Sequence, residues 1–183
     1  MNADPLLALR PAFPILAHTN YLVSNSLGAM PQDVYASLQA YADTWASRGV
    51  RAWAEGWWDL NVAVGDRIAP LIGAPAGTIS LHQNIALALG VLLSAFDFSG
   101  PRRKVVIEGG VFPSVYYQLR ELLPPEIELH TAPGYDGIQL DDQALVEAID
   151  PQTALVIVSH VLFRSAYIVD VAAVVEKPGV APP

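Results

Sequence analysis

Two stretches of this chain, Val105-Val-Ile107 and Ala154-Leu-Val-Ile-Val158, are unbroken apolar runs. A strand with one wet face alternates polar and apolar residues, because successive side chains point to opposite faces. Unbroken runs instead predict strands covered on both faces, as in a parallel sheet between two helical layers. The spacing agrees: residues 104–108, 126–131 and 153–159 read as strands, and 114–123 and 141–149 as the helices between them. The expected fold class is α/β, a three-layer, mostly parallel sheet. Ligands of such sheets gather at the carboxyl ends of the strands. Chemistry is therefore expected in the loops after Leu81, Glu108 and Ser159.

Upstream, Pro31 opens a helical pattern in which Val34, Leu38, Tyr41 and Trp45 share a face, closed by Gly49. A second helix follows Trp57 and should end near Ala69, before Pro70. Residues 78–81 read as a short strand and 83–96 as an apolar helix. The organisation expected is an N-terminal segment and helix over 1–50, a partial large domain over 51–176 and an unstructured tail over 177–183. At 183 residues, 52% hydrophobic and 15% charged, the chain can bury one sizeable core. A net charge of −8 disfavours nucleic acid and anionic membrane surfaces as partners. The run at 85–96 falls short of the ~20 residues that span a bilayer. Cysteine is absent, which removes disulfides, thiolate nucleophiles and cysteine metal sites; no metal site is expected. Without a basic region leading into an apolar run at the N-terminus, a cytoplasmic location is expected. The chain has neither G-x-G-x-x-G nor G-x-x-x-x-G-K-[ST], so a plain nucleotide-binding domain ranks low.

Four segments then occur in a telling order: Tyr21-Leu-Val-Ser-Asn-Ser-Leu-Gly28, Gly56-Trp-Trp-Asp-Leu60, Val105-Val-Ile-Glu-Gly-Gly-Val-Phe-Pro-Ser114, and Ala154-Leu-Val-Ile-Val-Ser-His-Val-Leu-Phe-Arg-Ser165 followed by Asp170. Together they resemble kynureninase and its neighbours in the class V aminotransferase group. The resemblance covers nearly the whole chain. It implies the N-terminal portion of a fold type I large domain, apparently truncated. The cofactor implied is pyridoxal 5′-phosphate, the substrate a small amino acid, and the reaction a kynureninase-like C–C bond hydrolysis. A class V aminotransferase or cysteine desulfurase-like enzyme fragment is the alternative. A homodimer is implied for the full-length form, since the resembling enzymes are dimers with shared active sites.

The resemblance also assigns site residues. His82 and Gln83, before Asn84, stand where the family binds the cofactor phosphate, although hydroxyl residues are usual there; otherwise they cap a buried helix. Phe112 and Ser114 match the family's aromatic-Pro-Ser turn, whose ring lies on the cofactor, while Val115 replaces the usual acid. The other reading of Phe112 is a hydrophobic staple. Arg164 and Ser165 are candidates for contacting cofactor or substrate anions, the guanidinium being a planar donor fork. Alternatively Arg164 pairs with a structural carboxylate and Asp170 caps the next helix. Asn25 and Ser26 match a segment near the substrate, with Gly28 permitting the turn before Pro31. Trp53, Trp57 and Trp58 line an aryl pocket or, the preferred reading, pack at a subunit interface.

The chain contains two lysines, Lys104 and Lys177. The chemistry the resemblance implies needs a lysine that carries the cofactor and an acid for its ring nitrogen. Lys104 opens a strand at the wrong end of the sheet, and Lys177 sits in a Lys-Pro-Gly tail. No catalytic residue is therefore assigned. The change of composition near Lys177 reads as a truncation or frame change, and a non-catalytic truncated scaffold stands beside the enzyme reading.

Overall fold

The computed structural model describes residues 4–177, and the chain divides between Leu81 and His82 into two compact units. Residues 178–183 of the expected tail lie outside the described residues. In the first unit, 3-10 helices at Pro5–Ala12 and Pro14–Ala17 precede α1 (Val34–Arg48), which ends at Gly49 with φ 54°. A π turn at Trp53–Trp57 leads into α2 (Trp58–Ile68). Gly56 in that turn has φ 136°, a conformation open to glycine because it has no Cβ. Pro70 lies in a 3-10 turn, Ala69–Ile72, directly after α2, as its missing N–H and ring clash require.

The strand expected at 78–81 does not form. The backbone donors of Leu81, at its end, and of Gly77, just before it, go to side chains of α2. Gly77 N–H donates to Asp66 Oδ1 at 2.6 Å and Leu81 N–H to Asn61 Oδ1 at 3.3 Å. Gly65 of α2 lets the segment approach, since a Cβ there would stand 2.8 Å from the Ile79 carbonyl oxygen.

The second unit holds the sheet. After α3 (Ile85–Leu93) come β1 (Lys104–Ile107), α4 (Pro113–Leu122), β2 (Glu128–Thr131), α5 (Asp142–Glu147), β3 (Thr153–Ile157) and α6 (Val171–Glu176). All pairings are parallel, in the order β2-β1-β3, with Val106 opposite His130 and Val156. β1 is buried along its whole length. Its neighbouring residues serve opposite layers: Ile107 packs with Leu89, Leu93, Val115 and Leu119 of α3 and α4, and Val106 with Leu145 and Ile149 beside α6 Val174. These are the three layers expected. Right-handed crossovers explain the arrangement: the step from β1 to β2 places α4 on one face, and the return step past β1 to β3 places α5 on the other. Helix α3 is shorter than the apolar run that predicts it. It stops at Leu93, where Ser94 Oγ donates to the Val91 carbonyl at 2.7 Å and the chain turns.

Lys104 lies at the amino end of β1, 8% exposed, and is held by Asp150 Oδ2 at 2.6 Å and the Ala148 carbonyl at 2.8 Å. It thus joins β1 to the end of α5. The Lys104 hydrogen bond holds the Asp150 carboxyl below the usual aspartate range. A carboxyl with a depressed folded pKa contributes stability above its unfolded pKa and loses it as pH falls through the folded one. Lys104→Met should therefore destabilise the chain by about 1 kcal/mol near neutral pH in urea denaturation, through loss of the hydrogen bonds to Ala148 and to the partly exposed Asp150. The same variant should flatten the acid-side loss of stability. A second expectation concerns the sheet edges. β2 and β3 each present one unpaired edge among the described residues, and the apolar side chains of β3 after Thr153 are half-buried. Unpaired edges template further pairing, so light scattering should show concentration-dependent self-association of the chain; a monodisperse monomer would contradict this.

Candidate functional site

Two helices start at one hollow. Asn84 precedes α3 in extended conformation and caps it, its Oδ1 accepting the Leu87 N–H at 2.9 Å. Phe112 precedes α4 in the same way, with Pro113 as the first helical residue, where the missing N–H costs nothing. Asn84, Ile85, Ala86, Phe112, Ser114 and Val115 line a cavity of about 460 Å³. Gln118 fixes the pair, donating from Nε2 to the Ala86 carbonyl at 2.7 Å. The first N–H groups of a helix lack intrahelical acceptors, and each helix start carries roughly half a positive charge. Two starts on one hollow make a site for an anion without a lysine or arginine. Phe112 is 49% exposed, too open for a staple, and presents a ring to the hollow. Val115, at the place of the family's acid, is instead buried in the core between α3 and α4. His82 and Gln83 are exposed just before Asn84 and do not line the cavity. The cap of α3 is Asn84, which removes the capping alternative for them.

The loop after β3 comes to the same aromatic residue. Leu162 N–H donates to the Tyr167 carbonyl and Ala166 N–H to the Leu162 carbonyl, both at 2.9 Å, closing a tight turn that carries Phe163, Arg164 and Ser165. Ala166 takes φ 58° there, a left-handed conformation that costs a side-chain-bearing residue about 1–2 kcal/mol. The Phe163 ring meets Phe112 edge to face, centroids 4.8 Å apart, and the Arg164 guanidinium lies 5.3 Å from the Phe163 centroid. Among the described residues no carboxylate pairs with Arg164. Ser165 Oγ accepts the Tyr167 N–H at 3.3 Å and so shapes the turn. Asp170 caps α6 through the Ala173 N–H at 3.0 Å. Asp142 holds the base of this loop, accepting from Tyr167 Oη at 2.6 Å and from the Asp170 N–H at 3.2 Å.

Between the two loops lies a residue the sequence reading passed over. Glu108, the first residue after β1, is fully buried; its Oε1 accepts the Ser159 N–H at 3.1 Å, and its Oε2 is buried without a partner. Burial pushes its carboxyl above the usual range, against the opposing effect of the Ser159 hydrogen bonds. Nothing in the periodicity marks it, because a charged residue closing an apolar strand reads as the strand's wet end. Phe163 was hidden in the same way, as one more apolar residue in Val161-Leu-Phe163.

In the first unit, Asn25 and Ser26 occupy an exposed turn, the Ser26 N–H donating to the Val23 carbonyl at 3.0 Å. Gly28 has open space around its Cβ position and no positive φ, so the turn does not require glycine. Trp57 stacks on Tyr41 at 4.8 Å, and Trp53 contacts both Trp57 and Trp58.

Gly109 is where glycine is required. A Cβ there would stand 2.6 Å from the Tyr135 Cβ, an atom fixed to its backbone. Gly109→Ala should cost about 1–3 kcal/mol by overpacking, whereas Gly28→Ala should change stability by less than about 0.5 kcal/mol. Paired denaturation curves check the contrast.

No family model matches the chain. It is 34% identical over 181 residues to a kynureninase of Burkholderia pseudomallei, covering 94% of this chain and 42% of that enzyme. It is 33% identical over the same span to one of Burkholderia mallei. Against a kynureninase of Geobacillus thermodenitrificans it is 29% identical over 177 residues, 92% of this chain and 41% of the relative. The chain thus spans less than half the length of these relatives. Among solved structures, a lysine-to-alanine mutant of C-DES with glycine covalently linked to its PLP cofactor matches with a TM-score of 0.75 at 18% identity, over 90% of this chain and 44% of that one. At that identity the likeness is one of fold. The chain is thus kynureninase-like in sequence over nearly its whole length, and it shares its fold with part of that solved chain.

Proposed function

We propose that the hollow at the starts of α3 and α4 holds the phosphate of pyridoxal 5′-phosphate with Phe112 against the cofactor ring. The enzyme to which this fold belongs would act on a small amino acid, by C–C bond hydrolysis of a kynurenine-type substrate. The observation that carries the reading is the convergence of two helix starts and a half-exposed aromatic ring on one cavity of about 460 Å³. The residues fit the group. Backbone N–H groups of Ile85 and Ala86 and the Ser114 hydroxyl are donors for a phosphate, and a phenyl face suits a pyridine ring. His82 and Gln83, just before the cap, are proposed as further donors to the phosphate. Arg164, whose guanidinium lies beside the Phe163 ring that meets Phe112, and Ser165 next to it are proposed to receive the carboxylate of an amino acid. Asn25 and Ser26 are proposed as neutral contacts to the rest of the substrate.

Pyridoxal phosphate, when bound, supplies an electron sink for bond breaking at an amino acid. This chain's residues bind and orient. Lys104 is at the opposite edge of the sheet, engaged with Asp150 and Ala148, and Lys177 ends α6. That placement favours a non-covalent holder of the cofactor over a self-sufficient catalyst for the 183 residues alone. A homodimer is proposed for the full-length form, supported by the exposed aromatic residues Trp45, Trp53 and Trp58 of the first unit.

Equilibrium dialysis tests the reading. Pyridoxal phosphate should bind with about 1:1 stoichiometry, inorganic phosphate should compete, and Phe112→Ala should weaken binding about tenfold, the equivalent of ~1.4 kcal/mol. Borohydride reduction should leave no covalent adduct on either lysine. A stoichiometric adduct at Lys104 would show that the active site lies elsewhere.

A further inference from the structure

We propose that Glu108 is a positioning residue for this site: its buried carboxyl ties the carboxyl end of β3 to that of β1 through the Ser159 N–H, and so sets where Phe163 and Arg164 stand against Phe112. In giving Glu108 a site to position, the proposal rests on the reading of the hollow as a ligand site. A carboxyl is costly to bury unless it is hydrogen-bonded, and an aliphatic side chain would fill the space without that cost. Glu108 instead places one oxygen on a backbone amide 51 residues away. The geometry beyond it is symmetrical. Phe112 follows Glu108 by four residues, Phe163 follows Ser159 by four, and the two rings meet with centroids 4.8 Å apart. A polar tie at the strand ends and an aromatic pair at the loop tips thus close the two loops into one ring.

The titratable side chains around Glu108 are Tyr116 and Tyr117 of α4, which line a hollow of about 280 Å³ with it, Tyr135 against Gly109, and His160 after Ser159. Burial raises the Glu108 pKa. A group with a raised folded pKa contributes most below its unfolded pKa and loses that contribution as pH rises through the folded one. A protonated carboxyl keeps one oxygen able to accept from the Ser159 N–H.

The test compares the full chain with Glu108→Gln, which keeps the acceptor, and Glu108→Leu, which keeps only the bulk. Amide exchange at Ser159 and the ring-current shifts of Phe112 are read by NMR, and urea stability is followed with pH. Glu108→Gln should retain both signals, while Glu108→Leu should speed Ser159 exchange at least about tenfold and release the ring shifts. The wild-type chain should lose stability as pH rises above the ordinary glutamate range, and Glu108→Gln should show no such loss. The proposal is overturned if Glu108→Leu keeps both signals, if Glu108→Gln loses them, or if Glu108→Gln keeps the wild-type pH slope. Should Glu108→Leu not fold, the comparison of Glu108→Gln with wild type decides alone. Failure of the cofactor reading would appear separately, as no binding of pyridoxal phosphate by the wild-type chain, with Ser159 protection intact.

Discussion

Everything in the second unit depends on β1 being paired in parallel on both sides and buried on both faces. Parallel pairing sends each chain segment out of the sheet at the same edge, so the loops after β1 and β3 leave from neighbouring strands. Burial on both faces fixes the register, because a slip of one residue would turn Val106 and Ile107 toward the wrong layers. With register fixed, the Glu108 carboxyl reaches the Ser159 N–H just past β3, and the loop tips meet through Phe112 and Phe163. Lys104 secures the far end of β1 to the end of α5. The candidate-site edge and the anchoring edge are thus opposite ends of one strand.

The electrostatics of the hollow are built from backbone rather than from charged side chains. Two helix starts supply the positive field. Glu108, just after β1, is buried, and burial pushes its carboxyl above the usual range. This solution suits an acidic chain, with a net charge of −8 and few cations to spend on a phosphate. On the proposed reading it would also separate holding a cofactor from reacting with it, since Lys104, the first residue of β1, is committed to a structural ion pair.

The sheet was legible because unbroken aliphatic runs are a strong signal of two covered faces, and β1 and β3 begin at the residues the pattern predicts. The three-layer α/β class and the kinship with kynureninase follow from the same segments. The strand expected at 78–81 was not legible. Its local pattern suits a strand, but Asn61 and Asp66, more than ten residues upstream, take the backbone donors of Leu81 and of the preceding Gly77. The length of α3 was overread because apolar composition alone does not show where Ser94 competes for the helix's carbonyls. Asn84 is the cap of α3 and a wall of the cavity, whereas His82 and Gln83, just before it, do not line the cavity. Glu108 and Phe163 escaped notice because their importance comes from contacts across the sheet edge, between residues about 50 positions apart, which no local period encodes.

The most direct test of the central claim is to titrate isotopically labelled chain with pyridoxal phosphate and, separately, with inorganic phosphate, following backbone amides and aromatic side chains by NMR. Both ligands should shift the amides of Ile85, Ala86 and Ser114, and pyridoxal phosphate alone should also move the Phe112 and Phe163 ring signals. Shifts confined to the opposite edge, around Lys104 and Asp150, or no shift with either ligand, would contradict the assignment of this edge as the cofactor site.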